Sequence, residues 1–255
     1  MYVSNSRKIN RSGMLSLLDE IDANDGSAVC LYFPPELSVS EVEGMLINVS
    51  RIGEVPPDLN GIISESNTGS ALIWGNQYRC LVRTPFPIEE KKVSVGCSLQ
   101  PLRSLFNREF RIALIIVRLG DYAVGVFEGE KRIFSKVGTG LVHSRHKKGG
   151  SSQRRFERHR EKQIESFFTR VCGHVREQFE LYPGELDYLI YGGESNTLRN
   201  FRKQCQFLAS FDDRTLNRRL NVRKPRQSSW ETAIQNVWSS DLTEWFETEQ
   251  SESLL

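Results

Sequence analysis

The alternation of apolar and polar residues from position 111 onward predicts a sheet with helices packed against it. A continuous apolar run over 112–117 is typical of a strand buried on both faces. Turn residues at Gly120 and Gly129 separate it from two further strand-like runs, 122–127 and 132–137. Because short turns join antiparallel neighbours, these three runs are expected to form a meander.

A long amphipathic helix is predicted to follow Gln153. One apolar stripe recurs there at helical spacing, formed by Ile164, Phe167, Phe168, Val171, Cys172, Val175 and Phe179. Such a stripe packs on a core while charged residues occupy the other faces of the helix. The helix is expected to end by Pro183. A strand over 186–191, a helix over 194–208 and a last amphipathic helix over 230–245 are expected to follow.

The first hundred residues show shorter patterns and no chemical motif. The pattern predicts a polar, frayed start over 1–13, a helix over 14–21, a strand over 28–33, a helix over 42–49 and a hairpin over 71–82. The predicted fold class is α/β (α+β), a mixed β-sheet flanked by helices. The expected division is a small α/β N-terminal domain over 1–105, a second domain over 106–248 and a disordered acidic tail over 249–255.

Composition is that of an ordinary soluble globular protein, with charge concentrated locally. Hydrophobic residues make up 38% of the 255 residues, charged residues 26%, and the net charge is +2. Basic residues concentrate in 143–160 and again in 214–226, whereas the C-terminal end is acidic. This asymmetry suggests a side of the protein that faces nucleic acid. The second basic group has two interpretations, an exposed turn or an RNA contact.

Cysteine placement and hydropathy indicate a soluble protein of a reducing compartment. The five cysteines are odd in number, far apart in sequence and form no C-x-x-C pair, which argues against a disulfide framework or a zinc knuckle. The sequence has no apolar run of about 18 residues and no signal-peptide core. No membrane association is therefore expected, and the expected location is cytoplasmic.

The segment from His143 to Arg160 carries the strongest functional signal. It contains seven Lys or Arg residues, three His residues and one acid, Glu157. Basic side chains that neutralise phosphates release counterions, and Gly149 and Gly150 allow the backbone to approach a ligand closely. The side chain of Gln153 can donate and accept hydrogen bonds. A solvated basic loop is the alternative interpretation.

Several landmarks in and around this segment resemble the central, catalytic domain of the class-1 peptide chain release factors of archaea and eukaryotes. They are Val124-Gly125-Val126-Phe127-Glu128-Gly129 in the meander, Arg145-His146-Lys147-Lys148-Gly149-Gly150 entering the loop, Arg155-Phe156-Glu157-Arg158-His159-Arg160 leaving it, and Leu189-Ile190-Tyr191-Gly192-Gly193 at a later strand end. The similarity extends from Arg111 to about Leu208. It implies an RNase H-like release-factor catalytic domain.

The loop departs from the pattern of true termination factors at one position. Ser151 stands where those factors carry glutamine, and the glutamine follows two places later in Gly150-Ser151-Ser152-Gln153. This Gly-x-x-Gln form is similar to the Vms-type branch of the superfamily, the ribosome-quality-control factors that free nascent chains from stalled large subunits. No codon-reading motif is visible in 1–110. The resemblance therefore implies ribosome rescue rather than stop-codon termination.

The resemblance also implies which residues act. The catalytic residues would be Gly149, Gly150, Ser151, Ser152 and Gln153, with Gln153 positioning a water or the terminal ribose for hydrolysis of the peptidyl-tRNA ester. The RNA contacts would be Arg145, His146, Lys147, Lys148, Arg154, Arg155, Arg158 and Arg160. The implied partners are the large ribosomal subunit and peptidyl-tRNA. Separately, the protein is expected to be a monomer.

Two other activities stay open at the level of sequence. Proteins of the Vms-type branch are also linked to cleavage of the tRNA near its 3′ end, to which His143, Arg145 or His146 would contribute. The other is a non-catalytic ribosome-binding surveillance module. The pair His143-x-x-His146 has no carboxylate or cysteine nearby to complete a ligand set, so neither a metal nor a cofactor is expected.

Overall fold

The chain divides into two units, each built around one β-sheet. One unit comprises Met1–Arg108 and Gln235–Leu255, and the other comprises Glu109–Ile234. The structure is a computed structural model and describes residues 2–25, 28–50, 55–95, 98–143, 153–182 and 184–247.

Strands and helices are numbered along the chain. The strands are β1 Tyr2–Ile9, β2 Val29–Phe33, β3 Ser70–Trp74, β4 Arg79–Arg83, β5 Lys92–Val95, β6 Arg111–Arg118, β7 Asp121–Glu128, β8 Lys131–Thr139, β9 Tyr188–Gly193, β10 Thr215–Leu220 and β11 Ser240–Glu247. The α-helices are α1 Arg11–Asn24, α2 Val39–Ser50, α3 Leu59–Ser64, α4 Gln100–Asn107, α5 Gln153–Phe179, α6 Ser195–Gln204 and α7 Trp230–Trp238. Two 3₁₀ helices cover Gln206–Arg214 and Gln227–Ser229.

The second unit contains a five-stranded mixed sheet in the order β10-β9-β6-β7-β8. Antiparallel pairs join β6 to β7 and β7 to β8, which confirms the predicted meander. The two turns place Gly120 and Gly129 at φ values of 96° and 57°, a region that glycine enters without a steric penalty. On the other side of β6, β9 and β10 pair in parallel. The mixed sheet flanked by helices agrees with the predicted fold class.

Helix α5 covers one face of this sheet with its apolar stripe. Phe167, Phe168, Val171, Val175 and Phe179 are buried in one cluster with alternate residues of β6 and β7. Burying each such side chain contributes about 1.5–3 kcal/mol, so the stripe stabilises the packing of α5 on the sheet. The observed helix Gln153–Phe179 confirms the prediction of a long helix after Gln153, whose apolar stripe recurs at helical spacing.

A disulfide links α5 to the residue that follows α6, and Cys30 is disulfide-bonded as well, so the argument against disulfides is wrong. Cys172 and Cys205 are 33 residues apart in sequence, and their Cα atoms are 5.5 Å apart. Phe168 and Phe201, whose ring centroids are 5.6 Å apart, lie between the same two helices. Sequence spacing cannot reveal such neighbours, because helix packing brings them together. Cys80 is a buried free thiol.

The first unit contains a six-stranded sheet in the order β1-β11-β4-β3-β2-β5. All its strand pairs are antiparallel. The predicted strand over 28–33 corresponds to β2 and the predicted hairpin to β3 and β4. Every residue of β2 and β3 is buried, as expected for central strands covered on both faces.

The two ends of the described chain differ from the expectations. Residues predicted to be frayed form β1, which pairs with β11 along eight residues, from Tyr2 opposite Glu247 to Ile9 opposite Ser240. The predicted last helix ends at Trp238, and 240–247 is a strand. Because β11 inserts between β1 and β4, residues from Gln235 belong to the first unit and not to the second domain expected over 106–248. The tail expected over 249–255 lies outside the described residues.

Part of the second basic group lies on a strand, so the exposed-turn interpretation does not hold for residues 215–220. Thr215–Leu220 is strand β10, at the edge of the second sheet, so Arg218 and Arg219 lie on a strand and not in a turn.

In the described part of the chain, no helix combines the length and apolar character needed to cross a bilayer.

Candidate functional site

The first ten residues of α5, 153–162, form a helical extension without a buried side chain. Nine of the ten are exposed and Arg160 is half-buried, whereas the buried stripe begins only at Phe167. At 1.5 Å per residue, the extension is about 15 Å long. A helical segment that buries no side chain gains little from packing. The side chains of the extension are therefore accessible from solvent.

Hydrogen bonds between neighbouring turns stabilise this polar helix. Gln153 donates from Nε2 to Oε1 of Glu157 at 3.0 Å, and Gln163 and His159 contact each other through Nε2 atoms at 3.2 Å. Both pairs are four residues apart, which is the spacing at which side chains on a helix meet. Each such pair contributes about 0.2–0.5 kcal/mol, which is small enough to exchange for a ligand.

The residue that precedes the loop is attached to the same helix. Arg160 donates from Nε to the carbonyl oxygen of His143 at 2.9 Å, and the backbone N–H of His143 donates to Oε1 of Gln163 at 3.2 Å. The rings of His143 and His159 stack with centroids 6.4 Å apart. One end of the loop is thus held at Arg160 and the other at Gln153. Seven residues, about 10 Å of helix, separate these two points.

Gly138 brings the end of β8 against Tyr122 of β7, and Gly140, just after β8, lies against α5. A Cβ atom on Gly140 would lie 2.4 Å from Cδ2 of Phe167, and one on Gly138 would lie 2.4 Å from the Tyr122 hydroxyl. Arg170, on α5, donates to the carbonyl oxygen of Thr139 at 2.9 Å. Only residues without a side chain allow so close an approach. The path of the chain into the loop is therefore fixed by the helix core.

Positive charge dominates the extension. Its cations are Arg154, Arg155, Arg158, Arg160 and Lys162, and its acids are Glu157 and Glu161. Phe156 is 54% exposed on the same surface. Guanidinium groups bind phosphate oxygens through two parallel hydrogen bonds, and exposed aromatic rings can stack on nucleotide bases. The surface is chemically suited to RNA.

The structure describes five of the predicted site residues and brings them together on one helix. They are Gln153, Arg154, Arg155, Arg158 and Arg160, all within 153–162. The predicted residues Arg145, His146, Lys147, Lys148, Gly149, Gly150, Ser151 and Ser152 lie outside the described residues. The residues that position the loop ends, Gly140, Gln163 and Arg170, were not predicted. Of these, only the glycine carried a visible signal, its place between a strand and the basic segment.

Among the described residues, no group of three or more His, Cys, Asp or Glu side chains could hold a metal ion. His143 takes part through its backbone N–H and carbonyl groups, and its ring stacks on another imidazole. The chemistry available at this surface is hydrogen bonding by an amide, phosphate binding by guanidinium groups and proton transfer by imidazole.

Comparison with known families places the second unit among release factors. Residues 110–243, more than half of the chain, match the family described as the Actinobacteria/Chloroflexi VLRF1 release factor. This segment includes the meander, α5, α6 and the basic residues of the extension.

Curated relatives are archaeal release factors. Peptide chain release factor subunit 1 of Archaeoglobus fulgidus is 24% identical over 217 residues, which are 72% of this chain and 53% of that protein. Peptide chain release factor subunit 1-2 of Methanosarcina acetivorans is 30% identical over 106 residues, 41% of this chain and 26% of that protein. The chain thus spans about half the length of the first of these relatives and a smaller share of the second.

Solved structures show low overall similarity. The crystal structure of the archaeal translation termination factor aRF1 is 16% identical, with a TM-score of 0.40 over 90% of this chain and 70% of that one. Pelota from Archaeoglobus fulgidus is 9% identical, with a TM-score of 0.29 over 91% of this chain and 63% of that one.

Proposed function

The chain belongs to the Actinobacteria/Chloroflexi VLRF1 release factor family, and from this premise we propose that it releases nascent chains from peptidyl-tRNA on stalled or split ribosomes. The observation that carries the proposal is the helical extension 153–162, which has no buried side chain and begins with Gln153. It presents an amide and a set of arginines at the end of a Gly-Gly-containing loop.

Docking on RNA is the first role of the extension and the loop. Arg154, Arg155, Arg158 and Arg160 are spaced along a rigid helix, and Arg145, His146, Lys147 and Lys148 precede them in the loop. These cations bind phosphates of the acceptor stem and of ribosomal RNA in the large subunit. Each neutralised phosphate releases counterions, so binding weakens steeply as salt rises.

Positioning of the nucleophile is the role of Gln153. A peptidyl-tRNA ester is already activated, so the factor has to orient a water and support the charge that develops. The water oxygen attacks the ester carbonyl carbon, the bond to the ribose 3′ oxygen breaks, and that oxygen takes up a proton. Correct orientation can lower the barrier by about 7–11 kcal/mol in well-aligned reactions. Because an amide has no usable pKa, Gln153 orients the water and does not act as a base.

The rest of the loop supports this arrangement. Gly149 and Gly150 allow the backbone to pass close to the substrate, and backbone N–H groups near Ser151 and Ser152 stabilise the developing oxyanion. In the free protein the Gln153 amide is bound to Glu157 at 3.0 Å. Because such a bond is worth only about 0.2–0.5 kcal/mol, the amide can leave Glu157 for substrate at little cost.

Cleavage of the tRNA near its 3′ end is a second candidate, supported by one observation. His143 and His159 stack at the end of the loop with ring centroids 6.4 Å apart, and imidazole is the side chain that most readily transfers protons near neutral pH. In that reaction a ribose 2′ hydroxyl attacks the adjacent phosphorus, and the bond to the next nucleotide's 5′ oxygen breaks, leaving a cyclic phosphate.

The state of the tRNA 3′ end distinguishes these reactions. We would incubate the protein with large subunits carrying a labelled peptidyl-tRNA and analyse both the peptide and the tRNA. Release of free peptide with an intact CCA end is the expected result, because ester hydrolysis leaves the tRNA whole. A tRNA shortened at its 3′ end would favour the nuclease reaction. No release, with binding retained, would favour a non-catalytic surveillance module.

A further inference from the structure

A second cationic surface lies in the second unit, at the edge of the sheet formed by β10. An open cleft of about 970 Å³ lies between helix α6, the 3₁₀ helix Gln206–Arg214 and β10. Because β8 forms the other edge of this five-stranded sheet, the cleft lies at the far edge from the strand that leads into the loop.

The cleft carries more positive than negative charge. Five cations line it, Arg199, Arg202, Lys203, Arg218 and Arg219, and the one acid in its lining is Asp212. Asp212 is paired with Arg202 at 2.6 Å. Among the described residues, Arg199 and Lys203 make no ion pair, and both are exposed. Cations grouped in this way repel one another until an anion binds between them.

The N-terminus of α6 opens into the same cleft. The helix has ten residues and begins at Ser195, and its N-cap residue Glu194 makes no side-chain capping bond. The backbone N–H groups of a first helical turn lack partners within the helix, so they favour an anion. Ser195 lines the cleft and accepts a hydrogen bond from Nη1 of Arg219. This bond orients the guanidinium at the mouth of the cleft.

The cleft has a second feature, the buried hydroxyl of Tyr191, which has no hydrogen-bond partner among the described residues. Tyr191 lines the cleft and is only 6% exposed. Leaving such a group unpaired costs about 1–3 kcal/mol, which a ligand oxygen would recover. Burial raises the pKa of Tyr191 to about 12, so the hydroxyl remains a donor at neutral pH. The Arg202 guanidinium lies 5.1 Å over its ring.

We propose that this cleft binds the sugar–phosphate backbone of RNA and so provides a contact separate from the helical extension. Arg199, Lys203 and Arg219 bind successive phosphates, while Ser195 and the start of α6 supply neutral donors to the same oxygens. The open shape fits a strand that enters and leaves better than an enclosed small ligand. The choice of RNA as the source of the phosphates rests on the proposed function, which brings the protein onto ribosomal RNA.

The test compares the double variant Arg199→Glu/Lys203→Glu with a charge-matched control. The control, Lys131→Glu/Arg132→Glu, changes two exposed cations of β8, at the opposite edge of the same sheet. Affinity for a labelled single-stranded RNA is measured by fluorescence anisotropy at several salt concentrations, with the full chain. The cleft variant should bind at least tenfold more weakly, and its log–log salt slope should fall by about 1.4, because single strands contribute about 0.7 per phosphate contact.

The control variant should change affinity less than threefold, and Tyr191→Phe should weaken binding by a few fold while preserving the ring. An equal loss in both charge variants, or none in the cleft variant, would overturn the proposal. So would competition by AMP, inorganic phosphate or poly-glutamate as effective as that by RNA, since the site would then belong to a free nucleotide, a phosphate ion or an acidic protein. Because no ribosome is present, a failure of peptide release leaves this result unaffected.

Discussion

At the scale of single residues, the site depends on how loosely the Gln153 amide is held. The side chain is exposed at the first position of α5, and its contact is a hydrogen bond to Glu157 on the next turn. Glu157 is also the one acid between His143 and Arg160. It therefore has two effects in the free protein: it orients the amide, and it lowers the positive potential of the surface that meets RNA.

Replacing Glu157 separates these two effects. Both Glu157→Gln and Glu157→Ala should raise affinity for the large subunit by a few fold at low salt, because each removes a negative charge from a phosphate-binding surface. The release rate at saturating protein should change less than threefold, since the lost bond is worth about 0.2–0.5 kcal/mol. Binding by sedimentation and single-turnover release would measure the two effects. A tenfold loss of release rate in both variants would instead place Glu157 in the reaction itself.

At the scale of elements, α5 is one helix with two parts that differ in burial. Its later part, from Phe167 to Phe179, is fixed by the core, whereas 153–162 has no buried side chain. The chain that leaves β8 crosses the buried part at Gly140, where a side chain has no room. The extension is thus attached to a rigid base, and the chain that enters the loop is attached at two points to the same helix.

Adding a single methyl group tests this attachment. Gly140→Ala would place a Cβ atom 2.4 Å from Cδ2 of Phe167, and we expect a loss of about 1–3 kcal/mol in the free energy of unfolding. Gly173→Ala is the matched control, because nothing lies within 4 Å of its added Cβ atom. Within a helix that change should stabilise the protein by about 0.5–1 kcal/mol. Urea unfolding of both variants would show opposite signs, and equal effects would contradict the account.

Elements with a local pattern could be predicted from the sequence, and elements paired over long distances could not. The stripe of α5 and the turns of the meander repeat within a few residues, so the sequence alone indicates them. Strand β1 is polar, and its partner β11 lies more than two hundred residues later. The spacing of Leu242 and Trp245 also fits a helix, and only the position of the segment between β1 and β4 makes it a strand.

The candidate site was predictable to a similar extent. Composition indicates the basic residues, because clustered cations suit phosphate binding, whereas the role of Gln153 is implied by the resemblance to release factors. The contacts of Gln163, Arg170 and Cys172 depend on which helix and strand lie side by side, which the sequence does not state. The same holds for the cleft beside α6, whose cations come from two segments that meet only in the folded chain.

At the scale of the whole molecule, the C-terminal segment completes the first unit. Strand β11 separates β1 from β4 and buries Leu242 and Trp245. Trp245 also contacts Trp74, with ring centroids 6.0 Å apart. The first unit therefore cannot form its full sheet until the whole second unit has been synthesised, because β11 follows it in the chain.

Truncation after residue 239 should unfold the first unit and leave the second folded. Without β11, the strands β1 and β4 lose their shared partner, and two large side chains lose their burial, each worth about 1.5–3 kcal/mol. Truncation after residue 247 is the control, since it retains β11. Thermal unfolding followed by circular dichroism, with limited proteolysis, should show a lost transition only for the shorter chain. An unchanged transition there would show that β11 is dispensable.

The most direct test of the proposed function is single-turnover release of peptide by Gln153→Ala on large subunits carrying peptidyl-tRNA. Wild type and variant are compared at saturating protein, with Arg154→Gln/Arg155→Gln as a variant that should weaken binding more than the maximal rate. We predict that Gln153→Ala lowers the maximal rate by about 10²–10³-fold, the cost of removing one positioned hydrogen-bonding group, while binding changes less than threefold. Release by Gln153→Ala at the wild-type rate would contradict the account.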